Sequence, residues 1–419
     1  MPESRDAGSV GAVGPLTDDW RPAVRRLSDN AAVLRGSRFF LDQRQWIDER
    51  HLEICRVPAP TFRETQRAEF LKDLFEDVGL ESRIDDAGNL VAPIVYDDRL
   101  PFVAVSAHLD TTLAPRRPED VYFDSDGSLR GPGVTDNGAG LVALVALARV
   151  LASGPLVDAP KRNILLVANV AEEGEGNLHG MKYLCGASPY ADRIAEFLVV
   201  DGASTAHLTV EALGSRRFEI ALEGRGGHSW NDFGCANPVH ALSRAVALLA
   251  DIELPRSPRA TLTVAVIEGG SGVNSIASSA RAKVDIRSRS AAGIDQVVQA
   301  MEDAVRLAVE RENRRSTDRL RSYRIREIGH RPAGPRLPQN SLADALQAVD
   351  AHLGIRSRLD CASTDANVPL AARRPAVAVG SGGRGGDAHA PTEWYHPEGR
   401  HLGLQRILLT LAALQDASP

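Results

Sequence analysis

The chain has 419 residues, of which 43% are hydrophobic and 25% charged, and these values predict a globular protein with two domains. Its net charge of −6, with basic residues scattered along the chain, disfavours binding to nucleic acid or to an anionic membrane. The four cysteines form no CxxC pair, which argues against a thiolate zinc site or a disulfide framework. With no apolar segment of the signal-peptide or membrane-spanning type, we expect a cytoplasmic protein.

The outer parts of the chain predict an α/β architecture. Residues 1–40 are expected to form a loose tail, residues 42–78 have mainly helical spacing, and residues 89–95 predict a strand. Short apolar runs then predict buried strands at residues 102–107, 164–170, 197–200 and 376–379, with a helical pattern at residues 140–151. This alternation predicts a mainly parallel sheet, with functional residues at the ends of its strands.

The middle of the chain has a different rhythm. Strands are predicted at residues 217–222, 261–267, 280–286 and 322–328, and helices at residues 238–252 and 294–309. The order is βαββαβ, the split-βαβ or ferredoxin-like pattern. We therefore predict an inserted domain at residues 213–328 within a discontinuous α/β domain formed by residues 1–212 and 329–419.

A histidine and an aspartate end the first buried strand. In the segment VAVSAHLDTT, His108 and Asp110 are two residues apart, so their side chains point to the same side of the chain. This spacing suits a metal ligand and a carboxylate that orients its ring. The pair alone is also compatible with an ordinary turn.

Three carboxylates follow in two further segments. Asp136 lies in GPGVTDNGAG before an apolar helix, where it is a candidate metal ligand or a helix N-cap. Glu172 and Glu173 follow a buried strand directly, so one can bind a cation while the other accepts a proton from water. A solvated loop tip is the alternative for this pair.

Asp201 in EFLVVDGAS and His389 in a glycine-rich loop complete the set. Two imidazoles and three carboxylates without a thiolate suit Zn²⁺, with Mn²⁺ or Co²⁺ as alternatives. Five protein ligands exceed what one open catalytic zinc site uses, so two ions and one bridging carboxylate are expected.

The motifs AHLDTT, GVTDNGAG, AEEGEGNLHG, VVDG and GGDAHAPTEW, in this order, resemble the M20 family of co-catalytic zinc metallopeptidases and amidohydrolases. The resemblance covers nearly the whole chain from about residue 45. It implies that His108 and Asp201 bind one zinc, that Glu173 and His389 bind the other, and that Asp136 bridges them. It also implies that Asp110 orients His108, that Glu172 is the general base, and that the peptide bond after Asp136 is cis.

The resemblance further implies substrate contacts outside the metal cluster. His228 would reach the active site of a partner subunit, Asn274 and Arg287 would hold the polar end of the substrate, and Thr364 and Asp365 would lie beside the site. A loop turn for Asn274 and an exposed strand charge for Arg287 are the alternatives. Supporting roles are expected for His179, Glu393 and His396.

The expected function is that of an exopeptidase for short peptides, acting as a homodimer formed through residues 213–328, which the resemblance makes a lid and dimerisation domain. An N-acyl amino acid deacylase needs the same metals and differs in what the substrate pocket accepts. An inactive peptide-binding protein on the same fold is the alternative from another class, and the complete ligand set argues against it.

Overall fold

The computed structural model describes residues 20–417. Its α-helices are α1 (Arg21–Ser28), α2 (Ala31–Asp42), α3 (Arg44–Arg56), α4 (Thr65–Asp77), α5 (Gly138–Leu151), α6 (His179–Gly186), α7 (Pro238–Ala250), α8 (Ala291–Arg315), α9 (Ser341–Leu353), α10 (Asn367–Ala371) and α11 (Arg400–Asp416).

The β-strands are β1 (Arg83–Ile84), β2 (Leu90–Ile94), β3 (Phe102–His108), β4 (Tyr122–Phe123), β5 (Leu129–Arg130), β6 (Asn163–Asn169), β7 (Ile194–Val200), β8 (His207–Ala212), β9 (Gly214–Glu223), β10 (Gly227–His228), β11 (Ala260–Gly269), β12 (Ser275–Ile276), β13 (Ser279–Ser288), β14 (Ser322–Arg331), β15 (Arg358–Ala362), β16 (Ala376–Val379), β17 (Arg384–Gly386) and β18 (Trp394–His396).

The chain divides into two compact units. The first comprises the residues up to Ala212 and those from Arg336 onward, and the second runs from Leu213 to Pro335. Strand β14 continues to Arg331. The second unit therefore includes residues that follow the predicted domain end at residue 328.

The first unit is built on a large, mainly parallel sheet, as predicted. Its strand order is β1-β2-β6-β3-β7-β16-β8-β15. The four strands β6, β3, β7 and β16 run parallel to one another, and β8 and β15 form a parallel pair at the edge. Every residue of β3 and β6 is buried, as expected for strands covered on both faces. The carboxyl ends of β3, β6 and β7 consequently meet at one edge of the sheet.

Helix α5 packs against this sheet and is buried along almost its entire length. Asn137 caps its N-terminus, because the Asn137 side chain accepts a hydrogen bond from the Gly140 N–H at 3.0 Å. The N-cap role, which was the alternative for Asp136, is therefore filled by Asn137. Although α5 is apolar, no helix between residues 20 and 417 is long and apolar enough to cross a membrane.

The expectation of a loose tail over residues 1–40 is wrong for residues 21–40. Helices α1 and α2 bury Val24, Leu27, Val33 and Phe40, and both pack against α11. A Cβ atom on Gly36 would lie 2.6 Å from a Leu408 methyl group, so α2 and α11 approach closely. Short helices of this kind depend on tertiary packing, so the sequence of residues 21–40 alone did not indicate them. Residues 1–19 of the predicted tail lie outside the described residues.

The second unit has the predicted βαββαβ order, formed by β9, α7, β11, β13, α8 and β14. These strands form an antiparallel sheet of order β11-β13-β9-β14, and α7 and α8 pack against it. The apolar face of α8 is buried and includes Ile294, Val297, Val298, Met301, Val305 and Ala308. Strands β10 and β12 pair separately within this unit.

Candidate metal centre

Two histidines face the two oxygens of one aspartate. The His108 Nε2 atom lies 2.9 Å from Asp136 Oδ1 and 3.9 Å from Asp201 Oδ1. The His389 Nε2 atom lies 3.0 Å from Asp136 Oδ2 and 2.7 Å from Glu173 Oε1. Asp136 is thus shared by two clusters, His108–Asp136–Asp201 and Asp136–Glu173–His389, in each of which the ligand atoms lie within 4.8 Å of one another.

Strand ends position most of these groups. His108 ends β3, Glu173 follows β6, and Asp201 follows β7 directly. His389 lies in the loop between β17 and β18 and adopts a left-handed backbone conformation, with φ of 66°. Strands β17 and β18 belong to a small sheet with β5 and β4, so this loop is supported independently of the large sheet.

Asp110 contacts the two adjacent glutamates rather than only the histidine. Its Oδ1 accepts a hydrogen bond from the Glu172 N–H and its Oδ2 accepts one from the Glu173 N–H, both at 2.9 Å. The His108 Nδ1 atom lies 2.9 Å from the Asp110 carbonyl oxygen and 3.5 Å from Asp110 Oδ1. A proton on Nδ1 donated to this carbonyl leaves the Nε2 lone pair directed at the cluster.

Glu393 holds the loop that carries Asp136. Its Oε1 accepts hydrogen bonds from the N–H groups of Thr135 and Asp136 at 2.8 and 2.9 Å, and its Oε2 accepts one from the Gly133 N–H at 2.8 Å. Glu393 is only 2% exposed. The peptide bond between Asp136 and Asn137 is cis, which confirms that expectation.

Glu64 is a supporting residue that the sequence analysis missed. Its Oε1 accepts hydrogen bonds from the N–H groups of Phe62 and Ala171, both at 3.0 Å, and Ala171 directly precedes Glu172. A single glutamate before a helical pattern gave no sequence signal for this contact, because both partners are backbone groups. Burial raises the pKa of Glu64.

The charges of the cluster favour a bound cation. Burial raises the pKa of Asp201 to about 7, and the neighbouring Asp136 carboxylate adds to this shift. Burial acts in the same direction on Asp136, but its contacts with His108 and His389 outweigh it and lower the pKa of Asp136. The hydrogen bond to Asp136 raises the pKa of His389 to about 9. Carboxylates crowded in a largely buried place are stabilised by divalent cations, so this donor set fits metal ions.

Glu172 reaches the same cluster. It is 4% exposed, and its carboxylate forms a group with His108 and Glu173 in which the ligand atoms lie within 4.8 Å of one another. A carboxylate at this position can exchange a proton with a water molecule at the cluster.

Thr364 and Asp365 lie near the carboxyl edge of the large sheet. Asp365 is 1% exposed, and its Oδ2 accepts a hydrogen bond from Nδ2 of Asn169, the last residue of β6, at 2.7 Å. The Thr364 hydroxyl oxygen accepts a hydrogen bond from the Ala366 N–H at 3.2 Å.

In the second unit, His228 and Asn274 lie on neighbouring segments. His228 pairs with Ser275 across β10 and β12, and the Ser229 N–H donates to the Asn274 carbonyl oxygen at 3.0 Å. Arg287 lies on β13, where its Nε donates to Asp285 Oδ2 at 2.6 Å.

The two remaining histidines for which supporting roles were expected, His179 and His396, contact backbone carbonyl groups. The His179 N–H donates to the Ala171 carbonyl oxygen at 3.1 Å. The His396 Nε2 atom lies 3.2 Å from the carbonyl oxygen of Asp126.

An α/β sheet with imidazoles and carboxylates clustered at its strand ends can hold metal ions, and metal ions so held can support hydrolysis. A sequence model of peptidase family M20/M25/M40 matches residues 104–413, and the chain belongs to this family. The resemblance inferred from the motifs is thereby confirmed, and the similarity to peptidases and amidohydrolases supports a hydrolase.

Two curated relatives illustrate the range of the family. The chain is 28% identical over 210 residues to a probable succinyl-diaminopimelate desuccinylase of Staphylococcus epidermidis, with 48% of each chain covered. It is also 28% identical over 225 residues to the cytosol non-specific dipeptidase of Escherichia coli, with 46% of this chain and 45% of the relative covered. The matched segments thus span about half the length of these relatives.

Solved structures share the fold. A tripeptidase from Staphylococcus aureus superposes with a TM-score of 0.72 at 18% identity, covering 89% of this chain and 99% of the other. Human carnosine dipeptidase 1 superposes with a TM-score of 0.67 at 14% identity, covering 92% of this chain and 100% of the other.

Proposed function

We propose that the protein is a dinuclear metal-dependent exopeptidase that cleaves short peptides. The observation that carries this proposal is the position of Asp136, whose two oxygens face His108 and His389 in two separate clusters. One carboxylate shared in this way is what a two-ion site needs. The small-peptide substrate is supported by the dipeptidase and tripeptidase relatives.

The proposed ligand set divides between two ions. His108 and Asp201 would hold one divalent cation, Glu173 and His389 would hold the other, and Asp136 would bridge them. Zinc suits these nitrogen and oxygen donors, with Mn²⁺ or Co²⁺ as alternatives. When bound, the ions would supply Lewis-acid chemistry, which makes a water molecule more acidic and polarises the scissile carbonyl.

Glu172 is the proposed general base. Its carboxylate would take the proton from the attacking water and then return it to the leaving amine, so one group serves both proton transfers. Asp110 is the proposed positioning residue, because its two oxygens fix the backbone N–H groups of Glu172 and Glu173. In this scheme Asp110 acts through the two glutamates as well as through His108.

Substrate contacts are proposed for residues of both units. Thr364 and Asp365 belong to the unit that carries the metal cluster, and His228, Asn274 and Arg287 belong to the second unit. Arg287 would bind a substrate carboxylate through its planar guanidinium, which requires exchange of its present partner Asp285. A fall in affinity for free-carboxylate peptides, without a fall for their amides, in an Arg287→Lys variant would support this role.

A homodimer formed through the second unit is also proposed. Strand β11 is an edge strand of its sheet, and edge strands commonly pair with another chain. Exposed apolar side chains in the same unit support this proposal: Ile267 is 55% exposed, Trp230 84% and Phe233 85%. Sedimentation at several protein concentrations measures the association directly, and a monomer throughout would contradict it.

A deacylase of N-acyl amino acids is the second candidate, favoured by the match to a desuccinylase. One experiment separates the two. Metal-stripped protein is assayed with and without Zn²⁺, Mn²⁺ or Co²⁺ on dipeptides, tripeptides, end-blocked peptides and N-acyl amino acids. Metal-dependent cleavage of peptides with free amino ends supports the exopeptidase, and a preference for acylated amino acids supports the deacylase. No cleavage with any metal would refute both.

A further inference from the structure

A cavity of about 440 Å³ adjoins the candidate metal centre within the first unit. Its lining includes Asp201 and Ala388, the residue directly before His389. Cavities of about 300–1,000 Å³ are typical of small-molecule sites. A substrate bound at the metal cluster can therefore extend into this cavity.

The floor of the cavity is one face of the sheet at its β8–β15 edge. Along β8, His207 and Thr209 line the cavity, whereas Leu208 between them is buried in the core on the opposite face. Along β15, Asp360 and Ala362 line the cavity in the same alternation, and Asp360 pairs in register with Thr209.

Small residues keep this space open. Ala362 and Ala378 contribute only methyl groups to the floor, and the remaining glycine and alanine residues of the lining are Gly202, Ala203, Gly380, Gly385, Gly386 and Ala388. The cavity therefore has room for an unbranched side chain or for a peptide terminus.

A histidine–aspartate pair provides the polar end of the cavity. The His207 Nδ1 atom lies 2.8 Å from Asp360 Oδ2, and the Asp360 Oδ1 atom accepts a hydrogen bond from the Cys361 N–H at 2.8 Å. The two side chains are 35% and 33% exposed. Arg358 Nε lies farther from His207 Nδ1, at 3.5 Å, and is not part of the lining. Asp360 is thus contacted by the His207 ring and by the Cys361 N–H while remaining accessible.

The charge of the lining selects the ligand. Asp201, Asp360 and Asp387 are acidic, and none of the described residues that line the cavity is a lysine or an arginine. Because the proposed metal ion would engage Asp201, the acidic charge of the cavity away from the metal cluster comes from Asp360 and Asp387. An ammonium group can donate to Asp360. The hydroxyl group of Thr209, beside Asp360, offers a further acceptor.

We propose that this cavity binds an ammonium group of the substrate, with Asp360 as its acceptor and His207 as the residue that positions Asp360. The proposal rests on the proposed function, since it places part of a substrate that would be cleaved at the adjacent cluster. The ammonium group belongs either to the amino terminus of a peptide or to an amine-bearing side chain. The two sources share the same chemistry and are distinguished by the probes used.

Binding of three small probes to the metal-loaded full-length protein tests the proposal by calorimetry. Nα-acetyl-L-lysine carries only the side-chain ammonium, Nε-acetyl-L-lysine carries only the α-ammonium, and Nα-acetyl-L-norleucine carries neither. We expect one of the two ammonium probes to bind about fivefold more tightly than the norleucine probe, the size of effect expected for a partly exposed ion pair. The tighter probe identifies the source of the ammonium.

Matched variants assign the effect to the cavity. Asp360→Asn should abolish the fivefold preference, whereas Asp192→Asn should retain it, because Asp192 is exposed and lies before the amino end of β7, away from the cavity lining. If Asp360→Asn does not fold, Ala362→Lys offers the same test by placing a competing ammonium beside Asp360.

The outcomes distinguish failure of the cavity proposal from failure of the proposed function. Equal affinities of all three probes for the unmodified protein, or a preference that persists in Asp360→Asn or Ala362→Lys, would overturn the inference. Peptide cleavage by the same preparations is measured separately. Loss of the proposed function would appear as no cleavage by the unmodified protein, and the binding comparison would still decide the role of the cavity.

Discussion

Replacing Glu393 by glutamine is expected to destabilise the metal-free protein by about 2 kcal/mol. The carboxylate accepts three backbone hydrogen bonds, from Gly133, Thr135 and Asp136, at 2.8 to 2.9 Å. The single oxygen of glutamine can keep the two bonds made by Oε1, but its NH₂ group then faces the Gly133 N–H. One lost charge-assisted bond and an unsatisfied donor cost roughly 3 kcal/mol. Removing a buried charge, whose pKa is raised by burial, offsets part of this loss.

Two measurements check this prediction. Urea denaturation of the metal-stripped proteins gives the change in unfolding free energy, and competition with a chelating dye gives the affinity for Zn²⁺. The affinity should fall about 10- to 100-fold, because Glu393 positions Asp136. The matched control is Glu398→Gln, an exposed glutamate paired with Arg384, where little change is expected. Equal stability and equal zinc affinity of the two variants would refute the reasoning.

Three further predictions concern chemistry, pH and assembly. Glu172→Gln should retain bound metal while turnover falls roughly a hundredfold to ten-thousandfold, measured by steady-state kinetics and metal analysis; unchanged turnover would remove Glu172 from its role. In the metal-free protein, Asp201 (pKa about 7) and His389 (pKa about 9) both bind protons more tightly when folded than when unfolded, so stability should fall as pH rises from 4 to 9. Thermal melts at fixed ionic strength should show this fall, and added Zn²⁺ should stabilise more strongly at the higher pH. His228→Ala should lower turnover without loss of metal, and mixing it with Glu172→Gln should restore some activity only if His228 acts across a dimer.

The residues at strand ends were predictable because two kinds of sequence information coincide there. The buried strands β3, β6 and β7 appear as short apolar runs, and a polar residue ends each run or follows it directly: His108, Asn169 and Asp201. The parallel arrangement then brings the ends of these strands to one edge. The sequence alone therefore leads one to expect His108, Glu173 and Asp201 at one edge of the sheet.

The supporting contacts were less predictable because their partners are backbone groups distant in sequence. Glu393 contacts residues 133–136, and Glu64 contacts Ala171, with nothing in the local pattern of either glutamate to indicate this. Asp110 was expected to orient His108, and its hydrogen bonds to the Glu172 and Glu173 N–H groups depend on the return of β6 beside β3. The same limitation applies to α1 and α2, whose apolar faces have meaning only beside α11.

The start of α5 decides between the two interpretations of residue 136, a helix cap or a metal ligand, against the helix cap. Asn137 fills the cap, and its Nδ2 also donates to the Val200 carbonyl oxygen at 2.8 Å, the last residue of β7. Asn137, the residue after Asp136, is therefore hydrogen-bonded to Val200, the residue before Asp201. Because Glu393 fixes the same loop from the other side, Asp136 can face His108 and His389 without taking part in helix termination. The preference for a capping side chain before a helix is satisfied by Asn137, which leaves the Asp136 carboxylate available to the cluster.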